Sequence, residues 1–172
     1  MSPYVFVDGW RVAAAPAAVW RLVRRVDGWP DWWPSVRSVE PVPGRGEGSE
    51  TWRFTFATRL PYAMVFDAAV VADEPGVGVE TQVSGRVEGS GRWGVRPVDG
   101  GTLVRFDWSV RPTLRWMQVL SPVARPAFAW NHRALMVEGG RALARRLDSR
   151  LLEPVVSELL ADGSGARSSQ PG

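Results

Sequence analysis

Over residues 3 to 13, PYVFVDGWRVA, Tyr4, Phe6, Asp8, Trp10 and Val12 fall on one side and Val5, Val7, Gly9 and Arg11 on the other. A period of two predicts an opening strand. In APAAVWRLVRRV the period changes: Val19, Leu22, Val23 and Val26 recur at i, i+3, i+4 and i+7, and Pro16 suits the first helical position. A short helix is expected over about 16 to 26, closed by Asp27-Gly28. Next comes WPDWWPSV, where Pro30 and Pro34 bracket Asp31, Trp32 and Trp33; this predicts a single helical turn or a compact loop.

From 36 to 112 short strand-like runs follow one another: VRSVEPV, TWRFTFATRL, MVFDAAVVA, VGVETQVSGRV, RWGVRPV and TLVRFDWSVRP. Turn signals separate them, among them PGRGEGS, DEPG, EGSG and the hairpin pair Asp99-Gly100. An antiparallel meander is expected. Trp52, Phe54 and Phe56 oppose Arg53 and Thr55; Val104, Phe106, Trp108 and Val110 oppose Arg105, Asp107, Ser109 and Arg111. One face of the sheet is therefore aromatic, and leaving it uncovered would forfeit about 1.5–3 kcal/mol per large side chain. The expected cover is a long helix over about 126 to 152, with Phe128, Leu135, Met136, Gly139, Leu143 and Leu147 on one side. Ser121-Pro122 and Pro126 are its start signals, and Pro154 marks a kink or end.

The 172 residues suit one domain, expected over 1–162, followed by a small polar tail, GSGARSSQPG at 163–172, expected to be disordered. Hydrophobic residues form 45% and charged residues 23%, as in an ordinary globular protein. With no cysteine, disulfides, thiolate nucleophiles and sulfur-type zinc sites are excluded. The pI of 10.4 accompanies a net charge of only +3 and reflects arginine used in place of lysine. Arginines come at most in adjacent pairs, so a nucleic-acid surface is not expected. No run of about 18 apolar residues predicts a membrane segment, and a cytoplasmic protein, monomer or homodimer, is the expectation.

The order strand, short helices, meander, long C-terminal helix is the helix-grip arrangement. In APAAVWRLVRRVDGWPDWWPSV, GEGSETWRFTF and FAWNHRALMVEGGRALARRL the chain resembles the START-like (SRPBCC) superfamily of ligand-binding and polyketide cyclase/dehydrase proteins. The resemblance covers about 1 to 152. It implies an α+β fold in which a curved antiparallel sheet wraps the C-terminal helix, with two short helices after the first strand. It also implies a cavity between sheet and helix for a hydrophobic small molecule: a lipid, quinone, sterol-like compound or polyketide. Candidate ligand-facing residues are Trp33, Phe54, Phe56, Phe66, Trp93, Phe106, Trp108, His132 and Met136.

His132, the only histidine, falls in the middle of the helix's apolar face. There an imidazole can act as a general base, donate to a ligand carbonyl, or satisfy itself with a backbone carbonyl or a neighbouring Asp, Trp or Ser. The last, structural reading is favoured, and no residue is assigned as catalytic. Trp130 and Asn131 point elsewhere, Trp130 onto the preceding loop and Asn131 to a backbone group of that connection. No metal site is expected, since the histidine lacks companions at ligand spacing, and no cofactor is expected, since PGRGEGSE and VEGSGRWG match neither a phosphate loop nor a dinucleotide fingerprint.

Cyclase members of the superfamily guide enolate chemistry with pocket groups such as an arginine and a tyrosine. Here only Tyr4 and Tyr62 are present, and Arg53, Arg105 and Arg111 face outward, so no family catalytic residue carries over. Two functions follow: a carrier or binding module, and a polyketide cyclase/dehydratase using His132. Trp32 or Trp116 exposed on the surface would offer a partner contact.

Overall fold

The computed structural model describes residues 2–43 and 48–160. The tail expected at 163–172, the domain boundary at 162 and residues 44–47 of the PGRGEGS turn lie outside the described residues. Among those described, the strands are β1 (Tyr4–Val12), β2 (Val36–Pro41), β3 (Thr51–Ala57), β4 (Ala63–Glu74), β5 (Gly78–Gly85), β6 (Val87–Val98), β7 (Gly101–Pro112) and β8 (Val156–Leu160). Two α-helices, α1 (Pro16–Arg24) and α2 (Arg115–Arg146), accompany them, with a 3₁₀ turn at Val26–Asp31. The sheet order is β2-β3-β4-β5-β6-β7-β1-β8, antiparallel throughout. This is an α+β helix-grip fold: one curved sheet, its aromatic face closed by α2.

Local chemistry explains the elements. Pro16 opens α1, and Val19 and Val23 turn its buried face to the sheet. The Asp99-Gly100 signal forms a two-residue hairpin with Val98 paired to Gly101, and Gly100 takes φ 78, a left-handed conformation that glycine adopts without strain. The tryptophan turn is pinned internally, since Trp29 Nε1 donates to the Val23 carbonyl at 2.9 Å. It is also tied to α2, because the Ser35 N–H donates to Glu138 Oε2 at 2.9 Å and the Ser35 hydroxyl donates to the same oxygen. Trp32 is buried, not the exposed partner contact expected of it; Trp116 is exposed.

Three elements differ from expectation. α2 begins at Arg115, not near 126, with Pro122 and Pro126 inside it. Both prolines lie on the exposed side, where water can take the carbonyls that their missing N–H groups leave free. The helix stops at Arg146, earlier than 152, and Asp148 turns the chain at φ 48. After it, β8 adds an edge strand beside β1, which the sequence reading lacks.

The centre of the core is where α2 meets the sheet. Trp10 is fully buried, donates Nε1–H to the Met136 carbonyl at 2.9 Å, and meets Trp33 and Phe106 edge-on. Gly139 makes this approach possible: a Cβ there would lie 2.5 Å from Trp33 Cε2 and 2.7 Å from Trp10 Cζ2. Both rings are locked in the core, so Gly139→Ala is expected to cost about 1–3 kcal/mol, read as a lower urea midpoint with unchanged m-value.

Candidate functional site

Above this centre the sheet and α2 part to leave a cavity of about 150 Å³. Its floor is sheet: Phe6 on β1, Phe56 on β3, Phe66 on β4, and Phe106, Trp108 and Val110 on β7. Trp29 and Trp33 close the end toward the tryptophan turn; Thr58 and Tyr62 of the β3–β4 connection stand at the other. The roof is α2, through Met117, Phe128, Asn131, His132, Leu135 and Met136.

Of the nine residues expected to face a ligand, seven line this cavity: Trp33, Phe56, Phe66, Phe106, Trp108, His132 and Met136. Phe54 and Trp93 do not. Phe54 is stacked on Phe66 and packed on Trp29, and Trp93 lies against Trp20 of α1, so both fill the core. They share the aromatic face but stand under α1 and the tryptophan turn.

The polar groups are few and specific. His132 Nε2 lies 2.7 Å from Asp8 Oδ2, and the ring stacks on Phe6 at 3.9 Å between centroids. Asp8, on the inward face of β1, is 0% exposed, and its Oδ1 has no partner among the described residues. The histidine therefore meets the neighbouring Asp that the structural reading allowed for. A carboxylate oxygen accepts hydrogen bonds, so Nε2–H is the donor in this pair and Nδ1 is the ring's second nitrogen. Nδ1 has no hydrogen-bond partner among the described residues, and the His132 side chain is one-fifth exposed.

Two further groups flank the histidine. Asn131 is buried on the cavity wall, and its Oδ1 accepts the Arg59 N–H at 2.8 Å, in the β3–β4 connection and not in a segment preceding the helix. That bond fixes the amide with its Nδ2 donors unpaired among the described residues. Tyr62 also lines the cavity, and burial pushes its phenol pKa up, so it stays a neutral hydroxyl. Tyr4 is not available in the same way, since its hydroxyl bonds the Ser121 hydroxyl on α2. Trp130 projects outward into solvent, because helix and not loop precedes it.

Arg53, Arg105 and Arg111 face outward as expected, paired with Asp67, Asp107 and Glu88. No group of three or more His, Cys, Asp or Glu that could hold a metal occurs among the described residues. Sequence reasoning missed Asp8 as a site residue, although its signal was present: it is the one charged residue on the apolar side of β1.

The architecture has solved counterparts. A START superfamily protein from Mycobacterium smegmatis superposes with TM-score 0.66 at 18% identity, covering 84% of this chain and 97% of that one. A protein from Thermus thermophilus gives 0.64 at 17%, covering 82% and 98%. The di-domain ARO/CYC StfQ of the steffimycin biosynthetic pathway gives 0.61 at 16%, covering 84% of this chain; the chain spans about half (51%) of that protein. At these identities the likeness establishes the fold. No curated protein matches by sequence. Family assignment rests on the sequence itself: residues 9–148, from the second half of β1 to the end of α2, match the profile described as polyketide cyclase / dehydrase and lipid transport, and the chain belongs to that family.

Proposed function

We propose that the protein binds a hydrophobic small molecule in the cavity between the sheet and α2, as a carrier or binding module. The observation that carries this reading is the cavity wall, made of apolar and aromatic side chains except for Thr58 and the cluster around His132. A volume of about 150 Å³ admits roughly one small ring; pockets for larger ligands run to about 300–1,000 Å³. A larger guest requires the wall to yield. Met64, Met117 and Met136, every methionine but Met1, line the cavity, and unbranched thioethers change rotamer at low cost.

A second reading is favoured by one specific observation, the buried Asp8–His132 pair. Imidazole Nδ1 can take a proton from a carbon beside a carbonyl, with the C–H electron pair moving onto the carbonyl oxygen. Asp8 then stabilises the imidazolium, and the Asn131 amide or Tyr62 hydroxyl donates to the enolate oxygen. Such a step belongs to a polyketide cyclase or dehydratase.

Native mass spectrometry of the protein purified from its own host tests the first reading. A co-purifying lipid, quinone or polyketide is expected, and Leu135→Trp, which fills the cavity, should lower its occupancy about tenfold or more while the fold persists. Equal occupancy in the filled variant would place the molecule elsewhere and defeat the proposal.

A further inference from the structure

α2 is apolar on two opposite faces. One lines the cavity; the other is bare. Trp116, Val119, Leu120, Val123 and Trp130 are 47, 77, 49, 84 and 54% exposed. At 100° per residue they fall within an arc of about 100°, joined by exposed Ala127, and run about 21 Å along the helix. The opposite arc carries Met117, Phe128 and Leu135 to the cavity.

The charge around this stripe is one-sided. Between Trp108 and Val137 the chain holds four arginines, Arg111, Arg115, Arg125 and Arg133, and no Asp or Glu. Arg115 and Arg133 are exposed and flank the stripe at the same helical angle, about 100° from Trp116. Two more arginines belong to loops held against this end of the molecule: Arg59, whose N–H bonds Asn131, and Arg86, whose carbonyl accepts the Thr113 N–H. Arg111 is paired at 3.5 Å with Glu88, and Arg125 lies over the Tyr4 ring.

We propose that this face of α2 docks on an anionic lipid bilayer. The stripe is a convex helix surface, not a groove for another protein's side chains. It ends at both sides in tryptophan, whose ring suits the headgroup level, and exposed Arg115 and Arg133 flank it, with no Asp or Glu on the helix between Arg115 and Val137. No helix among the described residues is long and apolar enough to cross a membrane, so α2 lies on the surface. Docked in this way, the helix lies between the bilayer and the cavity, with Met117 and Phe128 on the side turned away from the lipid. The proposal does not depend on what the cavity holds.

Co-sedimentation of the full chain with extruded vesicles tests it. Binding is expected to phosphatidylcholine containing about a third phosphatidylglycerol, with a blue shift of tryptophan emission, and to weaken about tenfold or more on pure phosphatidylcholine or at about 500 mM salt. Val119→Glu with Val123→Glu should abolish binding, and Arg115→Glu with Arg133→Glu should weaken it on anionic vesicles alone; these positions are exposed, so circular dichroism should be unchanged. Leu135→Trp should bind vesicles like the parent, which separates failure here from failure of the cavity reading. Binding indifferent to lipid charge and to both double variants would overturn the proposal. So would a solution dimer that Val119→Glu with Val123→Glu splits while the parent ignores vesicles, since the stripe would then belong to a second copy.

Discussion

His132→Ala is expected to lose about 3–5 kcal/mol of stability, because it leaves a carboxylate stranded in the core. Asp8 is 0% exposed, Oδ2 has His132 as its partner, and Oδ1 has none among the described residues. Replacing both partners with leucine should return most of that loss, since two apolar groups need no hydrogen bonds. Urea unfolding of Asp8→Leu, His132→Leu and the double variant measures the coupling directly. A loss below about 1 kcal/mol in His132→Ala would show that the pair does not support the fold.

The same physics makes His132→Ala a poor probe of function, because ligand would be lost through unfolding. Asp8→Asn keeps the volume and allows Nε2–H to be accepted, but removes the charge that stabilises an imidazolium. Under the enzyme reading, turnover should fall about 10²–10⁴-fold with ligand affinity largely kept. Under the carrier reading, affinity changes modestly and no turnover exists to lose.

Trp10→Ala should cost about 3–5 kcal/mol, the range for emptying a buried large aromatic site. Its ring lies beneath Gly139 and Gly140, meets Phe106 at 4.8 Å and Trp33 at 5.2 Å, and bonds the Met136 carbonyl. Against a total of about 5–15 kcal/mol, that loss leaves a marginal fold. A thermal melt should shift down by about 10 °C or more. Trp10→Phe keeps a ring but not the N–H, so it should fall between the two. Since Met136 is both anchored by Trp10 and part of the cavity roof, this milder variant should also change ligand affinity; a fully wild-type melt for Trp10→Ala would refute the account of the core.

What the sequence made legible was direction, and what it hid was depth. Alternation at period two assigned Phe54, Phe56, Phe106 and Trp108 to the inward face, and all four point inward. It does not encode how far along the sheet a ring stands. Phe54 and Phe56 are two residues apart, yet one lies under Trp29 and the other borders the cavity. Asp8 shows the converse: its position on the apolar side of β1 was readable, but its partner is 124 residues away and emerges only when α2 crosses β1. The prolines misled for a local reason. Pro122 and Pro126 read as start signals because each deletes a helical hydrogen bond, whereas on the solvent side water replaces it. β8 went unread because VVSELL is too short to show a period, and its pairing with β1 is set by the turn after α2.

The sheet order also sets a timetable for assembly. β1 is the first strand in the chain but lies between β7 and β8, so its aromatic side cannot close until segments about 100 or more residues later have arrived. β2 to β7 can pair successively with near neighbours, each hairpin supporting the next. The slow step is expected to be the return of β1 to β7, a long loop closure that carries Trp10 and Asp8 into place together. Until it occurs, β7 presents an unpaired edge, and aggregation is expected to compete with folding during synthesis.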